Sequence, residues 1–269
     1  MSLRQTRRVI RRKLNSLSRR MGWTWAPARP IRAWISPTTV CNLRCRHCSK
    51  FGGVIQFQHM REDTYRIVRR ELMPGLREAI LTGVGEPMLA PLFPAMIEDC
   101  ERLGIHVALT TNGTVWDEAL ARRLARQGAR VVLSVDGANA ETMEFVREGL
   151  KWDRFCETVD RFAALKRETA AASLRPGTPR FQLFFNVVLL RRNLDQLTAI
   201  ADWAGRCGVD HIWFNNFVAG GCADPDFARE SMERDPQALQ AALAEAGARC
   251  DALGVGWSGP QFHSTGAGE

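Results

Sequence analysis

Three cysteines within eight residues, Cys41, Cys45 and Cys48, are the group in this sequence best suited to chemistry. Cysteine thiolates are common protein ligands of iron–sulfur clusters and of structural zinc. With three and two residues between them, they can converge on one centre. A structural zinc site needs a fourth ligand, which His47 or His59 could supply, but paired Cys-x2-Cys units are absent. The spacing therefore favours an iron–sulfur cluster with one open iron, and zinc remains the alternative.

The other five cysteines are scattered along the chain and do not indicate a disulfide framework. Cys222 lies in a Gly-Gly-Cys loop near the expected mouth of the site, and we interpret it as an ordinary loop cysteine. The remaining four lie in helical patterns and are expected to behave as small buried hydrophobes: Cys100, Cys156, Cys207 and Cys250.

Six strand-then-helix units are expected to position Cys41, Cys45 and Cys48. Apolar runs bounded by turn residues alternate with helical patterns, which predicts an α/β fold with parallel strands, as an open sheet or a complete or partial barrel. The strands are predicted at residues 31–36, 79–82, 106–110, 130–135, 181–189 and 211–214. The helices are predicted at residues 62–73, 92–103, 117–127, 152–168, 194–207 and 236–253.

Polar and glycine-rich segments fall at the carboxyl ends of four successive predicted strands. They are the cysteine group and residues 82–87, 111–114 and 134–137. Because parallel α/β folds bind their ligands at the carboxyl ends of the strands, these four segments are expected to form one site.

The positive charge of the chain is concentrated at one end. The formal net charge is +8, yet residues 1–61 hold 14 Lys or Arg and no acidic residue, while residues 62–269 carry −6. Within residues 3–21, one helical stripe is apolar and its surroundings are basic. The stripe consists of Leu3, Ile10, Leu14, Leu17 and Met21. We therefore predict a basic amphipathic helix whose residues 1–20 dock on an anionic membrane surface or a partner protein.

Neither a membrane span nor a secretory signal is expected. The most apolar stretch, residues 181–190, is interrupted by Gln182 and Asn186 and is shorter than the roughly 18 apolar residues of a span. The basic N-terminal run has no apolar segment beside it. The sequence thus predicts a cytoplasmic protein that can lie at the inner face of the membrane. Nucleic acid is not expected as a partner, because aromatic residues are sparse in the basic arm and the rest of the chain is acidic.

The segment Cys41-Asn-Leu-Arg-Cys45-Arg-His-Cys48 resembles the Cys-x3-Cys-x2-Cys signature of the radical S-adenosylmethionine (SAM) superfamily. Gly-Glu-Pro, Thr-Asn-Gly-Thr, Ser-x-Asp-Gly and the Phe-Val-Arg-Glu-Gly of residues 145–149 follow in the order seen in that superfamily, so the likeness runs from about residue 32 to about residue 217. It is strongest to the branch that contains peptide-modifying enzymes, molybdenum-cofactor enzymes and SPASM-domain proteins.

The resemblance implies a partial (βα)6 TIM-like barrel over residues 31–217. A basic amphipathic arm and linker over residues 1–30 precedes it, and a C-terminal loop, short helix and flexible tail over residues 218–269 follow. It also implies a [4Fe-4S] cluster on Cys41, Cys45 and Cys48. The amino and carboxylate groups of SAM chelate the fourth iron, and reductive cleavage of SAM gives a 5′-deoxyadenosyl radical that abstracts hydrogen from a substrate. An external electron donor of the flavodoxin or ferredoxin type is expected.

Several residues at the strand ends suit the binding of SAM. The Glu86 carboxylate suits the methionine ammonium, with Gly83 and Gly85 letting the backbone approach the ligand closely, or it completes a turn. Ser134 and Asp136 suit the ribose or the methionine, or they close an Asx turn.

Four further residues have comparable alternatives. Arg147 suits the SAM carboxylate or is a solvated helix charge. Asn112 orients the ligand or occupies a left-handed turn, and the turn is favoured. His47 occupies the family position whose backbone contacts adenine. Asn186 points into the barrel if it is functional, and Asn193 is predicted to cap the following helix. No residue is predicted to catalyse the step on the substrate.

The C-terminal region departs from the family pattern. SPASM-type relatives carry further cysteines there, whereas this chain has none after Cys250. It is either a single-cluster enzyme or lacks the C-terminal module. Without substrate we expect slow, unproductive SAM cleavage and an exposed apolar cavity near Asn215, Asn216 and Phe217. A peptide or small biosynthetic intermediate is the predicted substrate. An RNA-modifying enzyme and a non-catalytic metal-binding or partner-docking protein are the alternatives.

Overall fold

A computed structural model describes residues 13–23, 29–49, 55–171, 179–219, 224 and 226–260. Seven parallel strands form one sheet, in which each strand pairs with the next one along the chain. The strands are β1 (Arg32–Ile35), β2 (Glu78–Leu81), β3 (His106–Thr111), β4 (Arg130–Ser134), β5 (Gln182–Leu189), β6 (His211–Asn216) and β7 (Gly256–Ser258).

Helices connect the strands, and an N-terminal helix precedes them. The helices are α1 (residues 13–20), α2 (Glu62–Ile67, continued by a π-helical turn at Val68–Leu72), α3 (Phe93–Leu103), α4 (Glu118–Arg126), α5 (Ala140–Val146), α6 (Trp152–Ala171), α7 (Leu197–Cys207) and α8 (Pro236–Leu253). The described part of the chain is therefore a partial TIM-like barrel of β-then-α units.

Local sequence signals set several helix ends. The side chains of Asp117, Asn139 and Asp235 each accept a hydrogen bond from a backbone N–H in the first turn of α4, α5 and α8. At the other end, Gly104 and Gly208 take a left-handed conformation after α3 and α7. These residues stop each helix where the chain turns back toward the sheet.

The two faces of the sheet have different surroundings. Alternate residues such as Leu109, Leu133 and Phe185 are fully buried against the helices. Residues of the opposite phase point into the barrel, and we call this side the concave face. Exposure varies along it, from Val132 at 2% to Trp34 on the edge strand β1 at 69%. The helix-packed face thus holds the fold, and the concave face is the side on which parallel barrels bind ligands.

All six predicted strands are present, and the partial barrel is confirmed. A flexible tail was expected after the last predicted helix, but Gly256–Ser258 form β7 beside β6, and residues 261–269 lie outside the described part. A strand of three residues is too short to show an alternation of apolar and polar residues in the sequence. It forms because β6 has a free edge with which it can pair. Helix α5 was not predicted.

The predicted N-terminal helix is described from residue 13 onward, and its earlier residues lie outside the described part. Leu14, Leu17 and Met21 are all exposed, so the apolar stripe is not covered by the described residues. Across those residues, no helix is both long and apolar enough to cross a membrane.

Candidate functional site

The cysteine loop after β1 is held by backbone hydrogen bonds on both sides. Before the cysteines, Met60 N donates to Pro37 O at 2.9 Å. After Cys41, Arg44 N and Arg46 N donate at 2.9 Å to the carbonyls of Glu148 and of Val146, the last residue of α5. Although the loop has little regular structure, it is therefore anchored at both ends.

Gly83 and Gly85 let the loop after β2 lie directly against the cysteine loop. A Cβ atom on Gly85 would be 2.4 Å from Val40 O, and one on Gly83 would be 2.0 Å from Ser36 Oγ. Between the two loops, Glu86 N donates to Val40 O at 2.8 Å. The close approach expected toward a ligand is thus an approach to the neighbouring loop, since a side chain at either glycine would push the two loops apart.

The Glu86 carboxylate binds three internal donors. It is 2% exposed and accepts hydrogen bonds from Thr111 Oγ1 at 2.8 Å, Asn112 N at 2.7 Å and Met88 N at 3.2 Å. Burial raises the pKa of Glu86, and these hydrogen bonds oppose the rise. The carboxylate therefore joins the loop after β2 to the end of β3. Completing a local turn, the alternative to a ligand contact, does not account for this long-range role.

Asn112 joins the end of β3 to the cysteine loop. Its amide nitrogen lies 3.6 Å from Cys41 Sγ and donates to Asn42 Oδ1 at 3.0 Å, while its oxygen accepts from Thr114 N at 2.9 Å. The left-handed turn belongs to the next residue, Gly113, whose φ is +72°. The Asn112 side chain is thus directed at a cysteine sulfur, and its role in orienting the ligand stays a prediction.

Arg147 and Asp136 form a buried ion pair beside Cys45. Arg147 Nη2 lies 2.7 Å from Asp136 Oδ2, and the two residues are 5% and 0% exposed. Arg147 Nη1 is 3.9 Å from Cys45 Sγ. The solvated helix charge considered for Arg147 is therefore wrong. The other Asp136 oxygen accepts from Val188 N at 2.9 Å, so this carboxylate closes no Asx turn and joins β4 to β5.

Burial also sets the protonation of the groups around Cys45. It raises the pKa of Cys45 to about 11, against the lowering influence of Arg147. Burial has the opposite effect on a base and lowers the pKa of His47, whose Nε2 is 3.7 Å from Asp136 Oδ2. Although burial disfavours the guanidinium, Asp136 and the nearby thiols raise the pKa of Arg147. Arg147 is thus the permanent positive charge beside the cysteine sulfurs.

A row of polar side chains lies on the concave face next to this cluster. Ser134 and Asn186 are paired in register on β4 and β5, and Asn215 Nδ2 donates to Asn186 Oδ1 at 2.7 Å. Asn186 thus points into the barrel, as expected if it is functional. Ser134 is 8% exposed. These side chains provide a polar strip beside the sulfurs.

The cavity expected at the rim is present in part. A cavity of about 350 Å³ is lined by residues 213–216 and 258–260, which include Asn215 and Asn216. Phe217 was wrongly placed there: it is 4% exposed and packs edge-on against Phe227 at a centroid distance of 5.5 Å. Because Asn215, Asn216 and Ser258 contribute polar atoms, the cavity has a mixed rather than an apolar lining. Cys222 lies outside the described residues.

The sequence interpretation missed the contribution of Asn193. The predicted helix cap is wrong, because Asn193 lies inside a 3-10 turn (Arg191–Gln196) and α7 begins only at Leu197. Its amide donates at 2.8 Å to Asp136 O and to Val188 O. Asn193 is 0% exposed, and a polar residue soon after a long apolar strand was the available sign of such a contact.

The positions of the three thiols bear on the two metal chemistries considered for them. Tetrahedral zinc with Zn–S bonds of about 2.3 Å places its sulfurs about 3.8 Å apart. Across the part of the chain that the structure describes, no three His, Cys, Asp or Glu side chains converge on such a centre. The three thiols are free and partly buried on one loop. Three such cysteines can each ligate a different iron of a cluster.

Comparisons with known proteins place the chain among similar sequences and folds. A family model described as the Radical SAM superfamily matches residues 35–203. The chain is 25% identical over 192 residues to the tungsten-containing aldehyde ferredoxin oxidoreductase cofactor-modifying protein of Pyrococcus furiosus, covering 69% of this chain and 51% of that protein. It is 27% identical over 173 residues to the mycofactocin maturase MftC of Mycolicibacterium smegmatis, covering 64% and 41%.

A solved structure resembles the fold over nearly the whole chain. SuiB of Streptococcus suis bound to S-adenosylmethionine superposes with a TM-score of 0.70 at 17% identity, covering 94% of this chain and 55% of that one. The chain spans about half the length of the curated relatives it matches.

Proposed function

The chain belongs to the radical SAM superfamily, and from this premise we propose that it is an enzyme that cleaves SAM reductively and abstracts hydrogen from a peptide or small biosynthetic substrate. Membership of the superfamily implies a [4Fe-4S] cluster and SAM as cofactors. One observation carries the proposal: the loops after β2 and β3 and the segment after α5 all contact the cysteine loop, and two of them direct polar groups at its sulfurs.

Cys41, Cys45 and Cys48 are the proposed ligands of the cluster. Bound on these three cysteines, a [4Fe-4S] cluster would leave one iron for SAM and would supply the electron for its reductive cleavage. The protein must deprotonate the thiols, although burial raises the pKa of Cys45 to about 11. Because the cysteines would bind iron as thiolates, cluster binding would release protons.

Asn112 and Arg147 are proposed to stabilise the sulfur ligands. The Asn112 amide is 3.6 Å from Cys41 Sγ, and the Arg147 guanidinium is 3.9 Å from Cys45 Sγ. Both groups present N–H donors to atoms that carry negative charge when ligated. Asp136 holds Arg147 in this orientation through the 2.7 Å ion pair, which assigns Asp136 a positioning role.

Ser134, Glu86 and His47 are proposed to bind SAM. Ser134 presents its hydroxyl on the concave face, which suits the ribose or the methionine. Glu86 retains acceptor capacity beyond its three internal donors, because a carboxylate has about four lone-pair sites, and this suits the methionine ammonium. The backbone of His47 is proposed to contact adenine. Gly83 and Gly85 keep the loop that carries Glu86 against the cysteine loop.

The substrate class is proposed from the branch of the family. The mycofactocin maturase is among the relatives, and SuiB has also been solved bound to its precursor peptide. Other relatives are named as GTP 3′,8-cyclase and AdoMet-dependent heme synthase. A peptide or small biosynthetic intermediate fits this range. An electron donor of the flavodoxin or ferredoxin type is proposed as the partner that reduces the cluster.

Anaerobic reconstitution of the full chain tests the proposal. We expect about four irons and matching sulfide per chain, a reduced electron spin resonance signal that changes on addition of SAM, and 5′-deoxyadenosine after addition of dithionite and SAM. Cys41→Ser should abolish the intact cluster. The matched control is Cys156→Ser, which changes a cysteine on α6, away from the loop, and should leave iron content unchanged. Stoichiometric zinc without sulfide would overturn the proposal.

A further inference from the structure

The concave face ends in a group of charged side chains at the N-terminal ends of β1–β4. Arg32, Glu78 and His106 are neighbours in register, and Arg130 lies one strand further on the same face. The Glu78 carboxylate pairs with both Arg32 and Arg130, and His106 Nδ1 is 3.8 Å from Glu78 Oε1. We call these four residues the floor. It lies at the opposite end of the strands from the cysteine loop.

The floor carries an excess positive charge. Arg32, Arg130 and Glu78 are the charged residues that the described strands place on the concave face, which leaves one uncompensated positive charge. Burial lowers the pKa of His106, so this imidazole adds no charge near pH 7. Arg130 keeps 21% of its side chain exposed and Arg32 keeps 57%. Both guanidiniums therefore remain partly accessible.

One hydrogen-bond donor of the floor is unused. Arg130 Nε is buried and has no hydrogen-bond partner among the described residues. A guanidinium has five N–H donors, whereas Glu78 offers two oxygens that it shares between two arginines. Leaving a buried donor unpaired is unfavourable. The floor thus has more donors than its own acceptor satisfies.

Aromatic side chains lie above the floor on the same face. The Arg130 guanidinium carbon is 5.6 Å from the ring centroid of Phe184 and 6.0 Å from that of Trp213. Those two rings meet edge-on at 5.2 Å. On β1, at the open edge of the sheet, the indole of Trp34 is 69% exposed. Large apolar surface inside a barrel is stabilised when an apolar group covers it.

We propose that the concave face binds a substrate that carries both a carboxylate and an apolar or aromatic group. The carboxylate pairs with Arg130 and Arg32, and the apolar group lies against Trp213, Phe184 and Trp34. This inference rests on the proposed function, because it takes the concave face as the substrate chamber of that enzyme. Arg130 and Ser134 are four residues apart on β4, or about 13 Å at about 3.3 Å per residue. A substrate held by its carboxylate at Arg130 would therefore need about four extended residues to reach the level of Ser134.

Binding of a matched pair of probes tests the proposal without any turnover. 3-Phenylpropionate and its neutral amide, 3-phenylpropionamide, are titrated into the reconstituted full chain by calorimetry. The acid should bind about ten- to hundredfold more tightly than the amide, because a charge-assisted hydrogen bond separates them. Equal affinity for the acid and the amide would overturn the inference.

Three variants separate recognition from folding. Arg130→Gln should remove the preference for the acid. Glu78→Gln should tighten binding of the acid, because it leaves both guanidiniums uncompensated, whereas weaker binding of the acid by this variant would contradict the inference. Arg161→Gln is the matched control, since Arg161 lies on α6 over Trp116 and should leave both affinities unchanged.

The result is independent of the test of the proposed function. If the protein binds the acid more tightly than the amide but assembles no cluster, the proposed radical SAM activity is refuted and the carboxylate site is retained. A protein that cleaves SAM but does not discriminate would retain the proposed function and refute the floor as a carboxylate site.

Discussion

Replacement of Gly85 by alanine tests whether the two loops of the site depend on direct backbone contact. A Cβ atom at this position would lie 2.4 Å from Val40 O and 2.6 Å from Thr38 O. These are backbone atoms, which cannot turn away as a flexible side chain can. To reach a separation of about 3.0 Å, the Val40 carbonyl must move by at least about 0.6 Å.

The cost of this movement follows from the contacts it disturbs. Val40 O accepts the 2.8 Å hydrogen bond from Glu86 N, which is worth about 0.5–1.5 kcal/mol. Overpacking of a tight interior contact costs a further 1–3 kcal/mol or so. We therefore expect Gly85→Ala to lower the free energy of unfolding by about 2–4 kcal/mol. Since Cys41 follows Val40 directly, we also expect the variant to incorporate less iron.

Urea unfolding of the full chain without iron measures the first effect, and iron content after reconstitution measures the second. Gly104→Ala is the matched control: its φ is +64° and nothing lies within 4 Å of the added Cβ, so it should cost only the 1–2 kcal/mol or so of a left-handed alanine and leave iron content normal. If the free energy of unfolding of Gly85→Ala is within about 0.5 kcal/mol of the wild-type value and the variant binds a full complement of iron, the loop contact does not constrain the site.

Three further predictions concern SAM, the cluster and the N-terminal helix. Glu86→Gln should weaken SAM binding by about one to two decades in equilibrium dialysis, because a charge-assisted contact is lost, and unchanged affinity would refute the assignment. Asn112→Ala removes the amide that lies 3.6 Å from Cys41 Sγ, so the cluster should become harder to reduce in a spectroelectrochemical titration; an unchanged or higher potential would contradict the proposed stabilisation of the sulfur. Removal of residues 1–20 should preserve SAM cleavage and reduce sedimentation with anionic vesicles, since Leu14 and Leu17 are exposed beside basic residues; loss of cluster binding would show instead that the helix supports the core.

Local patterns in the sequence identified the elements and the ligand candidates. The spacing of Cys41, Cys45 and Cys48 is a property of eight consecutive residues, and it indicated cluster chemistry without reference to the fold. Apolar runs with turn residues at their ends located all six predicted strands, and parallel connectivity then placed the four polar segments at one rim. These inferences depend on short-range periodicity and on chain geometry, which a single sequence contains.

The state of each site side chain depended on partners that are distant in sequence. The sequence around Asp136 does not indicate that its carboxylate accepts a hydrogen bond from Val188 N, 52 residues later. It also does not indicate that Arg147 is buried against this carboxylate. The same applies to β7, whose three residues form a strand only beside β6. Local periodicity cannot report such contacts, because burial and pairing energies arise only when the chain brings distant segments together.

The sequence by itself determined the fold class, the family and the three cysteine candidates. Only the tertiary structure decided which polar groups are used internally and which stay available. Glu86 keeps acceptor capacity beyond its three internal donors, Asp136 is fully enclosed, and Arg130 retains an unpaired buried N–H. A residue type states what a side chain can bind, whereas the packing of neighbouring strands and loops sets how much of that capacity is already used, and this difference separates a structural carboxylate from a ligand-binding one.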